Sequence, residues 1–168
     1  MVMNTLLRIA RHLLSPGWLL RRHFPPQVLL DVQRAITTTE REHCGEIRFV
    51  AEHALEPFEL WSGLTARERA LEVFGLLRVW DTEANNGILV YVLFAERAVE
   101  IIADRGVAQR VPQAEWDSLC REVETQFRGG AFRAGALRAI EGAAALLRRH
   151  FPPAGQRSNE LPDQPILL

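Results

Sequence analysis

Ile88 to Ala95 is an almost unbroken apolar run, and it limits the folds open to this chain more than any other stretch. Through Phe94 the apolar residues occupy both alternating faces, which requires a central strand covered on both sides. A single such strand in a chain of 168 residues predicts one layered domain with a substantial core. The run is entered through Asp81-Thr82-Glu83-Ala84-Asn85-Asn86-Gly87, a stretch rich in side-chain oxygen. Oxygen-bearing groups packed between a helix and a buried strand need partners or water, so this junction is the first place to look for a site.

The elements around the strand follow from spacing. Pro25-Pro26 opens a helix carrying Val28, Leu29, Val32, Ala35 and Ile36, expected to reach Gly45. Glu46 to Ala54 alternates as a first strand, and Glu56 to Gly63 reads as a loop around Pro57. Thr65 and Glu68 have capping-box spacing, and Ala70, Leu71, Phe74, Leu77 and Trp80 form the expected inner stripe of the next helix. A short link at Glu96-Arg97 makes Ile88–Phe94 and the following Val99–Asp104 an antiparallel hairpin. Pro112 opens a further helix, Gly129-Gly130 closes it, and Ala131 to Phe151 is a final helix. The expected fold is α/β: a three-layer α/β/α sandwich around a small mixed sheet of three to four strands, any fourth strand lying before Pro112.

Three segments are expected: an amphipathic helical start over 1–24, the α/β domain over 25–151, and a disordered tail over 152–168. In the first segment, Thr5 to Leu14 is either a helix packed on its own domain or a docking helix for a partner or membrane surface. The hexapeptide Arg21-Arg22-His23-Phe24-Pro25-Pro26 recurs as Arg148 to Pro153, without a repeat around it, which suggests chance and a shared helix-end role, an arginine-rich phosphate or partner site being the alternative.

Net charge is -1, which excludes a global field that recruits nucleic acid or an anionic membrane. Every basic Lys/Arg position is arginine. Cys44 and Cys120 lack Cys-x-x-Cys spacing and read as buried thiols in a reducing cytosol. No apolar run approaches the ~20 residues a membrane span requires, and signal-peptide features are missing, so a cytoplasmic protein is expected.

Gly45-Glu46-Ile47-Arg48-Phe49, the Thr65-to-Trp80 helix, Asp81 to Asn86, the Asn85-Asn86-Gly87-Ile88 strand entry and the Asp104-Arg105-Gly106 strand exit together resemble the TPM-domain family. The similarity covers roughly Pro25 to Phe151 and is greatest to a compact bacterial branch without signal peptide or carboxy-terminal membrane helix. The resemblance implies an α/β/α sandwich with calcium or another divalent metal near one sheet edge. It also implies either acid phosphatase activity or an accessory role beside membrane-protein complexes.

Asp81, Glu83 and Asn85 alternate as in an EF-hand, but Gly87 falls one position late and Val92 stands where the bidentate glutamate belongs, so an EF-hand is excluded. An oxygen site for Ca2+ or Mg2+ from Asp81, Glu83, Asn85, Asn86 and Asp104 stays open, because the hairpin returns Asp104 beside Gly87. Glu46, Glu100 and Arg105 are weaker candidates. Turn chemistry alone accounts for the same residues if Asp81 caps a turn, the asparagines adopt positive φ and Asp104 pairs with Arg105 or Arg78. The histidines show no metal-ligand spacing, with His43 read as a helix-surface residue, and no nucleophile motif occurs. Two functions follow as expectations: an accessory domain binding a divalent cation and a protein partner, or a metal-assisted phosphatase acting on phosphomonoesters. Peripheral membrane contact through residues 5–14 accompanies the first.

Overall fold

The computed structural model of the chain describes residues 2–153 and 159–168, with side chains from Thr5 onward. Strands β1 (Glu46–Glu52), β2 (Gly87–Leu93), β3 (Ala98–Ala103) and β4 (Ile166–Leu167) form one sheet in the order β3-β2-β1-β4. β1 is parallel to β2 and to β4, whereas β2 and β3 form the antiparallel hairpin. Every residue of β2 is buried, as a doubly covered strand requires.

The pleat sorts the side chains into two cores. Ile47, Phe49, Ile88, Val90 and Ile101 face helices α2 (Gly17–His23), α3 (Pro26–Thr39), α7 (Gln113–Arg128) and α8 (Phe132–His150). Val50, Leu89, Tyr91 and Ile102 face α4 (Pro57–Ser62) and α5 (Ala66–Leu76). The result is the three-layer sandwich. Within the second core the Tyr91 hydroxyl donates to Glu52 at 2.6 Å, and Arg69 of α5 grips the same carboxylate with two bonds of 2.8 and 2.9 Å. Burial and that carboxylate push the Tyr91 phenol upward.

Several elements differ from the sequence expectation. The stretch read as a loop is α4, fixed by a reciprocal capping box between Glu56 and Glu59 and ended by Gly63 at φ 87°. The α5 capping box at Thr65 and Glu68 forms as expected, but Ala66, Ala70 and Val73 are its buried residues, while Leu71 and Trp80 are exposed. α3 stops at Thr39, short of Gly45. The segment before Pro112 holds the short helix α6 (Arg105–Ala108) in place of a fourth strand.

The fourth strand lies in the tail instead. Leu168 donates to Ala51 at 2.9 Å and accepts from His53 at 3.0 Å, closing the open edge of β1. Residues 159–168 are therefore ordered, because β1 offers unpaired backbone groups that a passing chain satisfies. Of the rest of that expected tail, 152–153 are described and 154–158 fall outside the described residues. The opposite edge is also covered, where Glu124 of α7 accepts the Val99 N–H at 3.3 Å.

Helix α1 (Val2–Leu13) packs on α4 and on the 3-10 turn Phe94–Glu96, with Arg8, Ile9 and His12 turned inward. Arg8 and His12 bond Glu96 at 2.5 and 2.9 Å, and the His12 Nδ1 accepts the Leu55 N–H at 2.9 Å. Leu6, Leu7, Leu13 and Leu14 consequently face outward. Of the apolar residues a helix over Thr5 to Leu14 would pack on its own domain, Ile9 is turned inward and the four leucines are not.

The repeated hexapeptide has a shared structural role. The identity extends back through Leu19-Leu20 and Leu146-Leu147, and both copies end a helix. Phe24 and Phe151 adopt nearly the same cap conformation, φ -117°, ψ 62° and φ -136°, ψ 64°. Each N–H bonds the carbonyl four residues back while the following proline disfavours a further helical turn. Both rings are buried.

Candidate metal site at the strand entry

After α5 the chain turns through Arg78 and Asn85, both at positive φ (53° and 50°), a region asparagine tolerates better than most residues. Asn86 does not share that conformation. Its N–H instead bonds the Thr82 hydroxyl at 3.1 Å, its side-chain amide donates to the Cys44 carbonyl, and its own carbonyl accepts the Glu46 N–H at 3.1 Å. The strand entry is thereby tied to the start of β1.

It is tied equally to the end of β3. The hairpin pairs Ile88 with Ala103, which delivers the Asp104 N–H to the Gly87 carbonyl at 2.9 Å. Gly106 donates to the Asn85 carbonyl at 3.0 Å. These backbones run so close that a Cβ on Gly87 would lie 2.0 Å from the Val79 carbonyl oxygen, and one on Gly106 would lie 2.5 Å from that of Asn85.

The predicted ligands divide into groups. Asn86 and Asp104 are buried and flank Gly87. One Asp104 oxygen accepts the Arg105 N–H at 2.7 Å and caps α6, while its Oδ2 is buried without a hydrogen bond. The Asn86 Oδ1 is likewise buried and unbonded. Glu46 is buried next to them and accepts the Leu161 N–H at 3.3 Å. Asn85 is committed to Arg105, whose Nε donates to it at 2.7 Å.

Asp81 and Glu83 are exposed. Asp81 pairs with Arg78 at 2.5 Å, and the Glu83 N–H donates to Glu160 at 2.8 Å. Glu100 lies opposite Tyr91, several residues along the hairpin, and pairs with Arg67 at 3.2 Å. Burial raises the Glu100 carboxyl. Among the described residues no three His, Cys, Asp or Glu side chains are grouped to hold a metal ion. The oxygens that suit a hard cation are Asp104 Oδ2 and Asn86 Oδ1, since a buried acceptor without a partner is costly.

Sequence reasoning missed a neighbouring acidic cavity of about 200 Å³ lined by Glu40, His43, Cys44, Glu46 and Asp163. Glu40 accepts the Ile47 N–H at 3.2 Å, and burial, with Asp163 and Glu46 nearby, pushes its carboxyl up to about 8. His43 is buried, contrary to the surface position expected for it. Its Nδ1 accepts the Gly45 N–H at 3.2 Å, leaving the proton on a buried and unbonded Nε2, and burial lowers its pKa to about 4. The tail supplies Asp163 to the wall of this cavity, where Thr37 of α3 donates to it at 2.5 Å. No local spacing signals that contact.

Neither cysteine forms a disulfide, and both are half-buried. Cys44 stands in the turn before β1, outside a helix, and burial pushes the Cys120 thiol up to about 12.

A family model described as the TPM domain matches residues 24–146. The fold is similar to the solution structure of the BA42 protein from the psychrophilic bacterium Bizionia argentinensis. The TM-score is 0.74 at 28% identity, covering 84% of this chain and 92% of that one. It is also similar to the N-terminal domain of a protein from P. gingivalis, with TM-score 0.57, 15% identity, and 72% and 76% coverage. No curated protein matches.

Proposed function

This chain belongs to the TPM-domain family, and from that premise we propose that it is an accessory domain that takes a divalent cation, calcium or magnesium, at the strand entry and presents that end to a protein partner. The observation that carries the reading is the pair of buried, unbonded acceptors, Asp104 Oδ2 and Asn86 Oδ1, on either side of Gly87. A hard cation satisfies such oxygens, and solvent supplies its remaining ligands. Asp81 joins only by leaving Arg78. The pair is exposed on both sides, so its separation costs little. The partner surface is the exposed Trp80 beside that site, with the Arg78 guanidinium 5.8 Å from its ring; exposed tryptophan and arginine are frequent anchors of protein interfaces.

Saturating millimolar calcium or magnesium is expected to raise the melting temperature by roughly 5 °C. Asp104→Asn retains an oxygen for the α6 cap but removes the charge, and is expected to erase the shift; Asp81→Ala should only reduce it. An unchanged melting temperature in both cations would refute the cation site. A metal-assisted phosphatase would draw on the same oxygens, so release of phosphate from a phosphomonoester by the cation-loaded protein, lost in Asp104→Asn, would favour an enzyme over an accessory domain.

A further inference from the structure

We propose that the outward side of α1, continued by α4, is a docking surface for an anionic phospholipid bilayer. Its orientation is the starting point. The polar side of α1 is fixed to the domain through Glu96 and the Leu55 N–H, with His12 only 3% exposed. What remains for solvent is a row of leucines, of which Leu14 is 79% exposed. The Leu13 end shares a cavity with Pro57 of α4, and α4 presents Phe58 and Trp61, with Phe58 81% exposed. Trp18, at the start of α2, is exposed as well. Leucine on a helix side bordered by tryptophan is the chemistry of the bilayer interface, where aromatic rings settle at headgroup level.

Charge selects a bilayer over an uncharged apolar partner. Arg8, Arg11, Arg21 and Arg22 precede the first carboxylate, Asp31, so this part of the chain is basic while the whole carries -1 and the remainder -5. Past the leucines, Arg11 shares a cavity of about 510 Å³ with Arg97 and Arg128. The carboxylate there, Glu96, is already held by Arg8 and His12, and Arg128 pairs with Glu124 at 2.8 Å, which leaves Arg11 and Arg97 to supply the charge of the rim. A basic rim beside an apolar side matches anionic headgroups over acyl chains. No helix among the described residues is long and apolar enough to cross a membrane, so the contact is one of lying on the surface.

The test is cosedimentation of the full chain with phosphatidylcholine vesicles, with and without phosphatidylglycerol, followed also by tryptophan emission. Binding to the anionic vesicles with a blue shift is expected, weakening as salt rises. Leu7→Glu with Leu14→Glu should lower the bound fraction about tenfold or more, at an unchanged melting temperature because both side chains point outward. Trp61→Ser, on a separate element, should weaken binding independently of α1, and Arg11→Glu should flatten the salt dependence. No binding to anionic vesicles overturns the proposal. Equal binding to neutral vesicles overturns it too. A concentration-dependent dimer, abolished by the leucine substitutions without any vesicle binding, assigns the surface to a second copy of the chain instead.

Discussion

Gly87 is the residue on which the strand entry turns. Its missing side chain lets the Val79 carbonyl pass where a Cβ would sit 2.0 Å away, and backbone cannot yield as a flexible side chain does. Gly87→Ala is therefore expected to destabilise the fold by about 3 kcal/mol, read as a lowered denaturation midpoint in urea. Gly45→Ala meets only the ends of Leu147 and should cost less. Next to it, Glu40 and His43 set opposite pH dependences. Glu40 has a folded pKa raised to about 8, so its contribution is complete below its ordinary value of 4.5 and is lost as pH rises through 8. His43 has a folded pKa lowered to about 4, so its contribution is complete above 6.5 and is lost as pH falls through 4. Between pH 6.5 and 8.5 only Glu40 acts of the two. Melting temperature should fall across that interval in the native chain and stay level in Glu40→Gln.

Among the elements, legibility followed the range of the forces involved. The doubly apolar β2, the hairpin that returns Asp104 to Gly87 and the Thr65 cap were readable because each is specified by neighbours in sequence. β4 was not, since a strand of only Ile166–Leu167 has no period of its own and exists through pairing with Val50 and Ala51. The side on which α1 packs depends on Glu96, far along the chain, and its leucines alone implied the reverse. In the candidate site the residue types were readable and the alliances were not: Asp81 with Arg78 and Asn85 with Arg105 are contacts a pattern of carboxylates and amides does not reveal. Deleting 164–168 exposes the β1 edge and removes the backbone bonds to Ala51 and His53. Lower thermal stability and concentration-dependent aggregation are expected, measured by melting curves and light scattering.

At the scale of the molecule, the strand entry lies at the start of parallel β1 and β2, whereas α1 rests on the turn that follows β2 at its other end. The proposed cation site and the proposed bilayer surface thus lie at opposite ends of the central strands, and variants at one should leave the other unaffected. The closing of the sheet by β4 has a further consequence for how this protein is made. Val50 cannot meet Ile166 until nearly the whole described chain has been synthesised. At the usual 5–20 residues per second, β1 leaves the ribosome on the order of ten seconds before its last neighbour. During that interval a nascent chain carries β1 with an unpaired backbone edge, open to pairing with another chain.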